Sequence, residues 1–288
     1  MGFDNAYEEI HDPTRVEQWR IQPGTFIAFE LDTEFVADRL EASCEAYPEL
    51  LGKEAVRDVR VFPKGRYLGL VLWSHTYTVD ASEDMGESLD DGEGSDGLEG
   101  AEVVEELVVN FVSPTPPPAP HQSRCVPIGT FASGSEHAPL QTTTLFPFPG
   151  MLQWTTFGTR LEVRSVCDSA LHFKLKEDEF ERFDERVADD YRASISKRLT
   201  QGCKDAEDEA IETLKVPTYT LPAKIWRDVR EARRSSSLAS AQGPCSLKEA
   251  GKSGVMHPVS FAEEVEALSR LIANYDAACC DALDSSVA

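Results

Sequence analysis

The stretch GTFIAFELDTEFVADRL, from Gly24 to Leu40, is an apolar run that passes directly into a helical pattern. Its first part is rich in apolar and aromatic residues and predicts a buried strand that ends before Asp32. Asp32 or Thr33 then caps a helix, and Glu34 in its first turn is favourable against the helix dipole. The helix itself is indicated by apolar residues three or four positions apart, namely Val36, Leu40, Cys44 and Tyr47.

An Asp-x-Glu at the end of an apolar strand also resembles the first motif of the DEDD exonucleases, which bind divalent metals there. His75 and Asp80 reproduce the His-x-x-x-x-Asp spacing of that family's last motif. The resemblance covers only these residues, and the two motifs lie too close together for the family's intervening strands. His75 also falls in a strand pattern, whereas the family's last motif lies on a helix. The helix start is therefore the better interpretation of Asp32 and Glu34.

Residues 1–176 read mostly as antiparallel strands with one helix. Apolar, β-branched runs flank a break at 63–65 that contains Pro and Gly, which is typical of a hairpin. Residues 81–101 are acidic, rich in Gly and Ser and nearly free of large apolar groups, so we predict a disordered loop there. A Pro-rich break follows at 113–120, because consecutive prolines cannot donate ladder hydrogen bonds.

From Glu177 the apolar period changes from two to about 3.6 residues, which predicts helices in the second part of the chain. This helical region, 177–288, divides into a long helix at 177–215, a basic helix at 222–234, a linker at 235–259 and a C-terminal helix at 261–283. The predicted fold class is therefore α+β, with a β-rich N-terminal half followed by a helical C-terminal half.

The chain has 288 residues and a formal net charge of -23, which disfavours general adhesion to nucleic acid or anionic lipid. About half of this imbalance lies between Asp80 and Glu106, where twelve Asp or Glu and no Lys or Arg occur. The first residues are acidic and lack an apolar core, so we expect no signal peptide. Seven scattered cysteines without C-x-x-C spacing indicate reduced thiols. We expect an intracellular protein, cytoplasmic rather than nuclear, with no membrane segment.

The C-terminal helix carries a narrow apolar seam with a 3.5-residue period over three heptads. This seam consists of Phe261, Val265, Leu268, Ile272, Tyr275, Cys279 and Ala282. Such a stripe is typical of a coiled coil, and it predicts either self-association or packing against another helix of the same chain. The pattern leaves these two alternatives open.

A second candidate surface is a basic stripe beside Trp226. It comprises Lys224, Arg227, Arg230, Arg233 and Arg234, spaced so that much of the charge follows one side of the predicted basic helix. It is the one place where we expect phosphate or RNA to bind, although a solvated helix face explains the pattern as well. The Arg-Arg-x-Ser pattern that ends at Ser236 is a phosphorylation candidate for a basophilic kinase.

No nucleotide-binding, zinc-protease or nucleophile-elbow motif occurs in the sequence, so we expect no catalytic residues, no metal site and no cofactor. The leading hypothesis is a non-enzymatic intracellular scaffold or adaptor that acts through protein–protein contacts and self-associates. Its partner is then another protein, a second copy of the chain, or both. The alternative is a structural coat or nucleoprotein subunit that assembles into larger particles, and the third hypothesis is the metal-dependent nuclease.

Overall fold

A computed structural model describes residues 20–43, 52–79, 102–129, 137–201, 220–233 and 255–287 of the chain. The predicted disordered loop at 81–101 and most of the predicted linker at 235–259 lie outside the described residues.

Seven strands form one sheet, and five of them close into a barrel. The strands are β1 (Thr25–Leu31), β2 (Tyr67–Val79), β3 (Glu102–Ser113), β4 (Cys125–Pro127), β5 (Leu152–Cys167), β6 (Phe173–Lys174) and β7 (Leu221–Trp226). The ring runs β1-β2-β3-β5-β7 and returns to β1. All its neighbours are antiparallel except β5 and β7, which are parallel. The short strands β4 and β6 add to β5 and β1 outside this ring.

The helices of the described residues surround the barrel. They are α1 (Thr33–Ser43), α2 (Gly52–Arg60), α3 (Glu177–Gln201) and α4 (Pro258–Val287), together with a 3-10 helix at Val229–Arg233. The hairpin predicted around 63–65 is wrong, because α2 rather than a strand precedes this break, and residues 1–176 therefore contain more than the one predicted helix. Helix α3 begins where the period of the sequence changes, and residues 202–215 of the predicted long helix lie outside the described part of the chain. Helix α4 begins three residues before the predicted position 261.

The predicted α+β class with a helical C-terminal half is wrong, because strand β7 comes from that half and closes the barrel between β5 and β1. The predicted basic helix at 222–234 is wrong for the same reason. In β7 the buried Leu221, Ala223 and Ile225 alternate with partly exposed neighbours, which is the period of a strand. A strand of six residues shows this alternation only three times, and the cations spaced three residues apart in the same stretch are equally typical of a helix.

The barrel interior is filled by alternate side chains of all five ring strands. They form one apolar cluster that includes Ile27, Val71, Leu107, Leu161 and Ile225. Helix α4 closes one end of this interior by inserting Phe261, which is fully buried. Its ring centroid lies 5.6 Å from that of Phe29, 5.1 Å from that of Tyr67 and 5.4 Å from that of Phe111. Such aromatic contacts add to the free energy of apolar burial.

A second apolar cluster covers the outer face of β1 and β2. Phe26, Leu68 and Leu70 point away from the barrel interior and pack against Phe183 of α3 and residues of the 140–151 connection. Each of the two strands is therefore buried on both faces over this part of its length. This burial explains why GTFIAFEL is an apolar run rather than a strict alternation of apolar and polar residues.

We predict that Leu268→Asp lowers the free energy of unfolding by about 3 kcal/mol or more, because it places an unpaired carboxylate in a buried site. Leu268 is 6% exposed and packs on the barrel interior cluster. Urea denaturation measures the loss. The matched control is Ala267→Asp, the same change at the exposed neighbour on α4. Equal stability of the two variants, or a mass that changes only in Leu268→Asp, would contradict packing of this residue within the chain.

Candidate functional site

The two carboxylates after β1 serve the fold and are held by a lysine. Asp32 Oδ1 accepts a hydrogen bond from the Phe35 amide at 3.1 Å, so the predicted N-cap is confirmed. Lys224 Nζ of β7 lies 3.7 Å from Asp32 Oδ1 and donates a hydrogen bond to Glu34 Oε2. This hydrogen bond lowers the pKa of Glu34 below its ordinary value. The Lys224 ammonium thus pairs with both carboxylates of the Asp-x-Glu pattern.

His75 does not join Asp32 in a metal site. Strand β2 begins beside the end of β1, with Phe29 opposite Tyr67, and His75 lies eight residues further along. A strand of that length spans about 26 Å, so the two halves of the nuclease pattern lie at opposite ends of β2. Within the described residues no group of three or more His, Cys, Asp or Glu is arranged to hold a metal ion.

The basic stripe is divided between two elements. Lys224 lies on strand β7 and contacts Asp32 and Glu34, whereas Arg227 is buried with its Nε 3.7 Å from Asp168 Oδ1. On the 3-10 helix, Arg230 forms a salt bridge to Asp228 at 2.6 Å, and Arg233 lies over the Phe148 ring at 4.6 Å. Arg234 and Ser236 lie outside the described residues. Each described cation of the stripe therefore has an acidic or aromatic partner within the chain.

The first five residues of the apolar seam pack within the chain. Phe261, Val265 and Leu268 are buried in the barrel interior cluster, and Ile272 packs against its rim. The Tyr275 hydroxyl donates a hydrogen bond to Asp58 Oδ2 of α2 at 2.8 Å. Cys279 and Ala282 lie in the part of α4 whose side chains the structure does not describe. In the described part, the seam follows the intramolecular alternative.

Two largely buried carboxyl groups, those of Glu264 and Glu105, were not among the candidates predicted from the sequence. Glu264 Oε1 accepts hydrogen bonds from the Tyr67 hydroxyl at 2.6 Å and from the Gly65 amide at 2.9 Å, while its Oε2 is buried without a partner. Burial raises the pKa of Glu264 from its ordinary value of 4.5 to about 7. A signal was present in the sequence, because Glu264 follows Phe261 by three positions and so lies on the apolar side of the helix.

Glu105 of β3 is the second of these carboxyl groups. Its side chain lies on the inner face of the sheet, where its Oε1 accepts a hydrogen bond from the Ile21 amide at 2.9 Å. Burial raises the pKa of Glu105 to about 7 as well, although the nearby Arg227 and Arg20 oppose this shift. Both groups are therefore only about half ionised near pH 7, and both join a strand of the barrel to another segment.

A cavity of about 210 Å³ lies between α3 and the segment that follows β4. The two arginines that line it already form contacts within the protein. Arg182 donates hydrogen bonds to the carbonyl oxygens of Ala138 and Pro139, and Arg186 pairs with Asp190 at 3.1 Å. Asp190 in turn accepts a hydrogen bond from the Thr155 hydroxyl at 2.6 Å. These contacts indicate that the arginines hold α3 on the barrel.

The outer face of β2 presents a row of stacked aromatic side chains to solvent, which we call the aromatic row: Trp73, His75 and Tyr77. The Trp73 and His75 rings have centroids 5.3 Å apart and planes inclined by 12°, and the His75 and Tyr77 centroids are 6.0 Å apart. Trp73 is 48% exposed, which is unusual for the side chain with the largest apolar area. A β-bulge between Val71 and Trp73 turns these residues outward.

Neighbouring strands complete the surface around the aromatic row. Val108, Glu106 and Val104 of β3 lie directly opposite its three members. Glu106 Oε1 is 3.7 Å from an Arg160 guanidinium nitrogen of β5. The surface therefore combines the rings with the partly exposed Val108 and with an ion pair whose Arg160 is exposed and whose Glu106 is largely buried. That combination can bind another molecule by ring contacts and hydrogen bonds.

Comparison with known proteins provides no relative: no protein family, curated protein or solved structure matches the chain. Among the helices of the described residues, none is long and apolar enough to cross a membrane.

We predict that Asp32→Ala lowers the free energy of unfolding by about 1 kcal/mol, because the Phe35 amide loses its cap. Thermal or urea denaturation measures this loss. Asp38→Ala is the matched control, since Asp38 is an exposed carboxylate in the interior of the same helix. If the two variants lose equal stability, the cap contributes nothing beyond an ordinary surface carboxylate.

We predict a pH dependence of stability that originates at Glu264. Between pH 4.5 and about 7 the folded protein retains a proton on this carboxyl that the unfolded chain has released. The stability that this group contributes is therefore lost as pH rises through that interval. Glu264→Gln should reduce the fall in unfolding free energy between about pH 5 and about pH 8 by about 2 kcal/mol.

Urea denaturation at the two pH values measures this difference, and Glu263→Gln at the exposed neighbour is the control. The same pH dependence in Glu264→Gln and in the parent protein would show that Glu264 ionises normally in the folded state.

Proposed function

We propose that this protein is a non-enzymatic scaffold or adaptor that binds a protein partner through the aromatic row on the outer face of β2. The observation that carries the proposal is that Trp73 and His75 are exposed and stack in one row with the partly exposed Tyr77. Tryptophan and tyrosine are enriched among the residues that dominate protein–protein affinity, because each removes a large apolar area from water with little loss of conformational freedom.

The position of the row on the barrel supports a binding role. Strand β2 pairs with β3 along its whole length, and β3 pairs with β5, so the backbone beneath the rings is held by two ladders. The rings also contact one another, which limits the rotamers that each can adopt. A surface that is rigid before binding loses less entropy on association than a mobile one.

The proposal does not rest on the apolar seam of α4, because Phe261, Val265 and Leu268 already contact the barrel interior. Partner binding at the aromatic row leaves those contacts intact. We place the protein inside the cell, in the cytoplasm. The two cysteines with described side chains, Cys125 and Cys167, are free thiols, which agrees with a reducing compartment.

We predict that a photocrosslinking residue at Thr78, which is exposed on the same edge strand as the aromatic row but on its opposite face, forms a discrete adduct with a partner protein in cells that express this chain naturally. The adduct should be lost in Trp73→Ala, because that change removes the largest contact of the row. Denaturing electrophoresis and mass spectrometry detect the adduct.

The matched control carries the same crosslinking residue at Tyr191, which is 65% exposed on α3, away from the row. Identical adducts from the two positions, or an adduct from Thr78 that persists in Trp73→Ala, would argue against a specific contact at the aromatic row. Unchanged circular dichroism of Trp73→Ala is required for either conclusion.

A further inference from the structure

Strand β2 is much longer than the neighbour that should cover its other edge. It has 13 residues, of which only Tyr67 to Leu70 pair with β1. One further hydrogen bond joins the Gly24 amide to the Val71 carbonyl oxygen at 2.8 Å. Beyond this point, no strand among the described residues pairs with the outer edge of Trp73–Thr78. That edge is about 20 Å long, which is enough for an added strand of about six residues.

Apart from the β-bulge at its start, between Val71 and Trp73, this free edge lacks the features that protect edges against pairing. Sheet edges are commonly blunted by lysine, by proline or by very short strands. The sequence from Trp73 to Thr78 is WSHTYT, which contains no proline and no lysine. Its aromatic and β-branched residues have high strand propensity. Its backbone amides and carbonyls therefore form a template on which an extended peptide can add.

The charge around the edge selects the kind of peptide. By sequence, the connection that follows β2 is part of a stretch from Asp80 to Glu106 with twelve acids and no Lys or Arg, and the whole chain carries -23. The described strands β2 and β3 carry Glu102, Glu105 and Glu106 and no Lys or Arg, so two copies that met edge to edge would bring like charges together. A segment rich in lysine and arginine is attracted instead, and its long side chains can lie across the rings of the aromatic row.

We propose that the free edge at Trp73–Thr78 binds an extended, lysine- and arginine-rich segment of a partner protein as an additional strand of the sheet. Alternate side chains of this added strand then lie against Trp73, His75 and Tyr77 on the outer face. The backbone ladder supplies affinity, and the aromatic row together with the acidic residues of β3 supplies selectivity. This inference rests on the function proposed above, because it specifies what the aromatic row contacts.

The test uses the full-length protein and a peptide of about eight alternating lysine and valine residues with blocked ends. Calorimetry measures its affinity, and hydrogen exchange measures protection of the amides from Trp73 to Thr78. Two further peptides isolate the causes. In one, alternate backbone amides are methylated, which keeps every charge but prevents ladder formation; in the other, glutamate replaces lysine.

We expect the lysine peptide to bind and to protect the edge amides. Methylation should weaken binding by about tenfold or more, because several hydrogen bonds are lost together. The glutamate peptide should not bind measurably, and Trp73→Ala should weaken the lysine peptide by about tenfold. Leu145→Ala, at a residue that is 82% exposed and outside the row, is the matched control and should leave binding unchanged.

Equal binding of the methylated peptide would overturn strand addition, because charge alone would then explain the affinity. Failure of the lysine peptide to bind would overturn the inference, while a Trp73-dependent adduct at Thr78 would still support a protein contact of another kind. The protein could also form a dimer without peptide, seen as a doubled mass, and return to a monomer when the lysine peptide is added. Such a result would assign the edge to a second copy of the chain. That result would overturn the choice of a basic partner.

Discussion

Closure of the barrel by β7 is the constraint on which the other contacts depend. β5 and β1 have no direct pairing, and β7 lies between them, parallel to one and antiparallel to the other. With β7 in place, Ala223 and Ile225 complete the interior cluster into which α4 inserts Phe261. The outward-facing Lys224 then reaches the carboxylates of Asp32 and Glu34. One short strand thus provides the last wall of the core and the cation that holds the start of α1.

Unequal strand lengths explain where the aromatic row lies. A closed ring leaves no free edge only if every neighbouring pair of strands runs side by side to the end. Here β1 has seven residues and β2 has 13, so β2 extends past the end of β1 while it stays paired with β3, and β3 stays paired with β5. The aromatic row lies on that extension of β2, where no described helix covers it. The residues of β2 that fill the core and those that form the aromatic row are therefore separated along one strand.

Charged groups in the described residues are paired locally, despite the excess of acid in the chain. The Arg66 guanidinium is an example. It donates hydrogen bonds to Glu30 Oε2 through two nitrogens, each at 3.1 Å, and to the Glu231 carbonyl oxygen, and it stacks 3.6 Å from the Trp226 ring. Desolvation raises the pKa of Glu264 and of Glu105 to about 7, so each carboxyl is only partly ionised near neutral pH. The cations named here thus contact other parts of the fold.

Local sequence determined the features that need only neighbours along the chain. The strand before Asp32, the cap on α1 and the change of period at Glu177 depend on residues a few positions apart, so their patterns were sufficient. Tertiary structure alone decided that Leu221–Trp226 is a strand, because its pairing partners are β1 and β5, far away in sequence. It also decided that Glu264 rather than Glu263 is buried, and that Trp73 is exposed while Trp154 is not. In each case the outcome depends on which distant surface covers the side chain, and residue spacing does not contain that information.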